Sequence, residues 1–357
     1  MSEKIRYTKT ETSKMIDLLI ALMALLVMAV YFYGTRVITL ALSSILICVI
    51  TDVLCSLMRH KKYKFELSSV VVGLTLTLLM PATVPYFVLM FAGFLGISIG
   101  KHVFGGTGNY IFNPTAVGYA FAVLCWGKQV LLFPRPFDSI PLSGEFAGTL
   151  SHSLGYSLQQ SSLPVLSDID MWLGRFVGPM GATHVIVLAV CAVFLIARKT
   201  VSGITFSSAV ITTTALAALF PRLQSLNMLD SISYELVSGI FLFGLLFMAS
   251  DPTTMPKTRL GRFWQGIALA LLVFAYRHFG LLENSFVFAL LIVNAMRNSF
   301  DKRFFHPIAA IKRKLHEFEV KNKECLDSGT RASACAVQAK PKELTKIEEN
   351  KEGENAQ

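Results

Sequence analysis

Two short polar stretches interrupt apolar runs in this 357-residue chain, and both carry residue types able to hold a ligand. Asn113-Pro114-Thr115 and Asp251-Pro252-Thr253-Thr254 place amide, carboxylate and hydroxyl groups beside a proline, which lacks a backbone donor and breaks a helix. A break among apolar neighbours leaves backbone groups that side chains, water, an ion or a ligand must satisfy. The two stretches are therefore predicted to line one buried polar site. Asp251 has a bland alternative, capping the nearby loop beside Lys257 and Arg259.

Asp52 lies inside another apolar run and is a candidate for an ion path, because exposing a carboxylate to lipid costs at least about 2.5 kcal/mol. Equally, seven residues before Arg59, it could sit just below an interface and pair with the basic loop there. The loop Gly105-Gly106-Thr107-Gly108-Asn109, leading into Asn113-Pro114, can present unpaired N–H groups to an anionic or carbonyl-bearing ligand, or simply form a tight turn. His102 beside it could change charge near neutral pH. Glu66 and Glu235 precede apolar runs, where a carboxylate complements a helix N-terminus.

The elements that position these residues are apolar runs at 15–34, 37–58, 67–80, 82–100, 110–126, 178–197, 201–220, 235–250, 263–276 and 285–298. Most approach the roughly 20 residues needed to cross a bilayer. With 53% hydrophobic and 16% charged residues, the solvent for much of the chain is lipid, and its net charge of +10 says little about nucleic acid, for which no role is expected. If the N-terminus is cytoplasmic, 27 of the 33 Lys and Arg fall inside and 6 outside, the bias of a multi-pass cytoplasmic (inner) membrane protein. The expected fold is all-α and polytopic, with about ten transmembrane helices and both termini cytoplasmic.

Phe65-Glu66-Leu67-Ser68-Ser69 opens a run ending in Pro81-Ala82-Thr83-Val84-Pro85, and Tyr234-Glu235-Leu236-Val237-Ser238 opens one ending in Pro252-Thr253-Thr254-Met255-Pro256. Repeats of five helices must insert with opposite orientation, and such inverted repeats place ligands at their interface. The predicted organisation is an N-tail at 1–14, a first repeat at 15–126, an outer loop at 127–177, a second repeat at 178–298 and a basic, disordered C-tail at 299–357. The six Cys form no C-x-x-C, so neither a metal nor an iron–sulfur site is expected. Ser151-His152-Ser153, Asp168 and Asp170 in the outer loop have no triad or metal-ligand spacing.

These motifs resemble the D subunit of Rnf complexes and the B subunit of sodium-pumping NADH:quinone oxidoreductases. The resemblance is carried by Glu66-Leu67-Ser68-Ser69 through Thr83, by Asn109 to Gly118, by Ser250 to Pro256, and by Phe286 to Ala295, in order along the chain. It implies a subunit of a complex that couples flavin-mediated electron transfer to movement of H+ or Na+, with other membrane subunits and a flavin-bearing outer-face subunit as partners. It also implies FMN or riboflavin, with FMN esterified through its phosphate to a Thr in the outer loop.

Here the chain departs from the pattern. Asp138-Ser139-Ile140-Pro141-Leu142 puts Ile140 where the acceptor Thr is expected, and isoleucine has no hydroxyl. Gly181-Ala182-Thr183 lies at the start of the sixth run, so Thr183 is a secondary acceptor candidate whose alternative is to satisfy backbone donors at a helix start. Noncovalent flavin is the main expectation, with cofactor-binding candidates Asn113, Pro114, Thr183, Asp251, Thr253 and Thr254. Two further readings stay open at this point: a small-solute or flavin-precursor transporter or channel, and a cofactor-free scaffold of a flavin-based electron-export system.

Overall fold

In a computed structural model, residues 2–59, 66–106, 108–138, 140–142, 148–160, 162, 167–222, 227–280 and 285–301 are described. Among them all regular structure is helical, apart from a single isolated bridge between Phe133 and Ser151. All but Asp301 belong to one compact unit, and the C-tail expectation lies outside the described residues.

Helix α1 (Ser2–Tyr33) turns at Gly34, whose φ of 80° is open to glycine without strain, into α2 (Arg36–Met58). The pattern on α2 shows what surrounds it. Val37, Leu40, Ala41, Ser44, Cys48, Thr51 and Asp52 are buried at helical spacing, while Ile38, Leu42, Leu46, Ile50 and Leu54 form an exposed stripe on the opposite face. Water would demand polar residues there; an apolar outer face fits a lipid environment. Helix α3 (Leu67–Leu79) is buried almost all round, because α1, α2 and α5 pack around it. Helix α4 (Tyr86–Leu95) passes directly into a π-helical segment at Gly96–Val103. Helix α5 (Pro114–Val130) kinks at Trp126.

Gly96, Gly100 and Gly118 let these elements touch. A Cβ on Gly118 would lie 2.3 Å from the Ala92 carbonyl oxygen, and one on Gly96 or Gly100 would meet the Pro114 backbone at 2.7 or 2.8 Å. The stretch between α5 and α8 contains α6 (Leu154–Gln159) and α7 (Asp168–Leu173). Then follow α8 (Val185–Ala197), α9 (Gly203–Leu219), α10 (Met228–Val237), α11 (Phe241–Phe247), α12 (Arg259–Phe279) and α13 (Ser285–Ala295).

Among the described residues, three stretches are long and apolar enough to cross a membrane: Thr12–Tyr33, Arg36–Met58 and Tyr86–Val103. Helices α10 and α11 together form a fourth if their bent pair is one span. The run expected at 235–250 is thus not one straight helix. It bends by 49° where Ser238 adopts extended angles and Gly239 a φ of 68°, and hydropathy cannot register this because the apolar run continues through it. One cluster, including Leu22, Leu25, Leu40, Leu76, Leu78, Phe241, Phe243, Phe286 and Leu290, joins residues from early and late helices into a single core.

Candidate functional site

Asn113 caps α5 with its side-chain oxygen, which accepts from Thr115 N at 2.9 Å and Ala116 N at 3.3 Å, and Pro114 fills the first helical position where no N–H is needed. The cap fixes the amide orientation, so Nδ2 points away from α5. It donates to the Met248 carbonyl at 3.1 Å and to Asp251 Oδ2 at 3.3 Å. Tyr110 OH donates to the same carboxylate, 2.9 Å from Oδ2 and 3.1 Å from Oδ1. Asp251 in turn folds its own break, because Oδ1 accepts from Thr253 N at 3.0 Å in an Asx turn. The structure therefore brings Asn113, Pro114 and the Asp251–Thr254 break together, and Asp251 faces Tyr110 and Asn113.

Two polar groups beside this seam lack partners. Thr254 is fully buried with Oγ1 unpaired, and Asn294 of α13 is 1% exposed with neither amide atom paired. The Arg297 guanidinium, one turn further on, donates to the Thr253 carbonyl, which places the end of α13 beside the break. Buried polar atoms are seldom left unsatisfied, and an amide presents a donor and an acceptor together. The imide edge of an isoalloxazine ring likewise presents a donor between acceptors, which such an amide would meet. Asn294 escaped sequence reasoning because a lone Asn near a helix end carries no spacing signal.

Thr183 does not join this seam. Helix α8 begins after it, with His184 at the N-cap, so it is not the helix-start Thr that satisfies backbone donors. Among the described residues its Oγ1 is buried and has no hydrogen-bond partner, and Gly178 lies beside it, where an added Cβ would stand 3.0 Å from Thr183 Cγ2. Ile140 packs against the main core, and Ser139 lies outside the described residues.

Asp52 is buried, and among the described residues its partners are Lys101, His102 and Ser69; residues 60–65 of the basic loop lie outside the described residues. Lys101 Nζ lies 3.0 Å from Oδ1, His102 Nε2 meets Oδ1 at 2.6 Å, and Ser69 Oγ donates to Oδ2 at 2.9 Å. Lys101, itself 1% exposed, also reaches Glu66 Oε2 at 3.0 Å. Arg59 donates instead to the His102 carbonyl. Glu66 stands at the N-cap of α3 but makes no side-chain cap bond there; its Oε2 turns to Lys101.

A second cluster surrounds Glu235, which sits in the last turn of α10 rather than opening a helix. Arg277 Nη1 lies 2.7 Å from Glu235 Oε2 and also donates to the Glu235 carbonyl, and Nη2 donates to the Ser238 carbonyl at 2.7 Å. Arg222 Nε pairs with Oε1 at 2.5 Å. Burial draws the Arg222 guanidinium down to about 10, against the upward pull of Glu235, so it stays charged at neutral pH. Both clusters share a pattern: Glu66-Leu67-x-Ser69 with Lys101-His102, and Glu235-Leu236-x-Ser238 with Arg277-His278. The Lys-His and Arg-His pairs were the readable signal, hidden because basic residues at helix ends pass for topology charges.

A family model described as the NQR2, RnfD, RnfE family matches residues 2–308. The chain is 25% identical over 315 residues to the D subunit of an ion-translocating oxidoreductase complex from Actinobacillus succinogenes, covering 78% of this chain and 88% of the relative. It is 24% identical over 316 residues to the D subunit of a proton-translocating ferredoxin:NAD(+) oxidoreductase complex from Clostridium ljungdahlii, covering 86% and 94%. The B subunit of a Na(+)-translocating NADH-quinone reductase from Pseudomonas aeruginosa is 28% identical over 269 residues, covering 73% and 64%. With the match running through α1 to α13 and both polar clusters, the chain belongs to the NQR2, RnfD, RnfE family.

Proposed function

We propose that this chain is the membrane subunit of an Rnf-like complex and couples flavin-mediated electron transfer to translocation of H+ or Na+. The relatives' names support the reading at the level of the complex. Within the chain, the observation that carries it is the seam in which Asn113 and Tyr110 converge on Asp251 beside the unpaired Thr254 and Asn294. Ten crossings in two inverted repeats fit the paired clusters, with the Asp52 cluster on the cytoplasmic face of an inner membrane and the Glu235 cluster on the outer face.

In this reading a bound flavin supplies the ability to take up and release electrons. Asn294 would hold and orient it through its unpaired amide, Asn113 would fix the α5 cap and Asp251 beside it, and the surrounding core would exclude water. Asp251 holds a carboxylate against that site. Asp52, compensated by Lys101 and hydrogen-bonded to Ser69, offers a buried acidic station for the ion. The hydrocarbon at Ile140 favours FMN or riboflavin held without a covalent bond. A flavin-bearing partner docks on the outer face, and further membrane subunits complete the electron path.

Electron-driven ion uptake into inverted membrane vesicles containing the whole complex tests this. Asp251→Asn keeps the shape and removes the charge, so coupled uptake should fall about tenfold while the protein still accumulates. Wild-type uptake in that variant would reduce Asp251 to a turn former.

A further inference from the structure

The Asp52 and Glu235 clusters use one scaffold with opposite charge balance. In the first, two carboxylates (Asp52 and Glu66) share the Lys101 ammonium. In the second, two guanidinium groups (Arg222 and Arg277) share the Glu235 carboxylate. The Arg277–Glu235 pair already closes α10 onto α12, through two further bonds to backbone carbonyls, so Arg222 adds a buried positive charge that the lock does not require. Its side chain is 8% exposed, and among the described residues Nη2 has no hydrogen-bond partner. An uncompensated buried charge is costly, and a second anion would remove that cost.

The surroundings define what sort of anion. Leu219 and Phe220 at the end of α9, Met228 and Leu229 at the start of α10, and Phe279 at the end of α12 are all exposed, and Phe279 is 90% so. All five stand at or just beyond the ends of α9, α10 and α12, the helices that bear or lead into Arg222, Glu235 and Arg277. An acyl chain satisfies these apolar side chains and a phosphate the arginines. A guanidinium matches phosphate oxygens in bidentate geometry.

We infer that Arg222 and Arg277 form a binding site for the phosphate of an anionic phospholipid, with its acyl chains on Leu219, Phe220, Met228, Leu229 and Phe279. Free phosphate shares the headgroup's chemistry, and the test separates the two sources. The full chain is reconstituted in nanodiscs of phosphatidylcholine with increasing phosphatidylglycerol, and thermal stability and retained lipid by native mass spectrometry are read together. The wild type should retain phosphatidylglycerol selectively and gain stability with it. Arg222→Gln, which leaves the neutral Arg277–Glu235 pair intact, should weaken that retention about tenfold, and Arg222→Lys should preserve part of it. Arg198→Gln, outside this cluster, should not alter it. Equal retention in Arg222→Gln, or stabilisation by inorganic phosphate in pure phosphatidylcholine with none from phosphatidylglycerol, would overturn the inference. If Arg222→Gln fails to accumulate, the wild type alone decides: retention of phosphatidylcholine and phosphatidylglycerol in proportion to their supply would overturn it equally.

Discussion

Asn113 and Asp251 stand 138 residues apart in sequence, yet the Asn113 side-chain nitrogen lies 3.3 Å from an Asp251 carboxylate oxygen. Each residue also organises its own break: Asn113 caps α5, and Asp251 closes the turn after α11. The contact therefore ties two helix interruptions into one polar seam. Loss of either side chain should disturb both the local turn and the distant partner. In Asn113→Ala, where the cap and the link vanish together, stability should fall by about 1–2 kcal/mol. Thermal unfolding of the purified protein checks this, and a fall of the same size in Asp251→Asn would show that the link outweighs the cap.

The Lys101 ammonium compensates Asp52 and Glu66 at 3.0 Å each. Lys101→Met should leave two carboxylates facing each other and destabilise the protein by about 3 kcal/mol. Adding Asp52→Asn removes one of those charges and should recover about 1 kcal/mol or more, a coupling read by a double-mutant cycle on the melting temperature. Additive losses would mean that the three groups do not act as a unit.

Gly118 faces the Ala92 carbonyl oxygen, which belongs to helix backbone and cannot rotate away. Gly118→Ala should push α4 and α5 apart, cost about 1–3 kcal/mol, and shift the Asn113 cap at the head of α5. Gly244 offers the contrast. Its added Cβ would meet the Phe286 ring, a side chain able to move, so Gly244→Ala should be the milder change. Equal melting temperatures for Gly118→Ala and wild type would refute the close backbone contact.

Topology follows from the loop charges. In a background lacking reactive native cysteines, Leu150→Cys in the outer loop should react with impermeant maleimide in intact cells. Reaction only after permeabilisation would invert the orientation and move the Glu235 cluster to the cytoplasmic side.

The helical class and the two breaks were legible because proline and polar residues stand out sharply against apolar runs. The meeting of Asn113 with Asp251 followed from the physics of unsatisfied backbone in an apolar medium. Lys101, Arg222 and Arg277 were not legible as cluster members, since a basic residue at a helix end reads equally well as a topology signal. Glu235 was misassigned to a helix start because nothing in the hydropathy of Tyr234 to Ser250 marks the turn at Gly239. The isolated polarity of Asn294 and Thr254 gains meaning only when packing shows both buried and unpaired.

Flavin content is the most direct measure of the central claim, that the seam between Asn113 and Asp251 holds a noncovalent flavin. The full chain, purified with its complex in mild detergent, should carry flavin that is released on denaturation and leaves no fluorescent band on a denaturing gel. Asn113→Leu should lose that flavin while Asp52→Asn keeps it. A fluorescent band that survives denaturation and disappears in Thr183→Ala, or undiminished flavin in Asn113→Leu, would contradict the account.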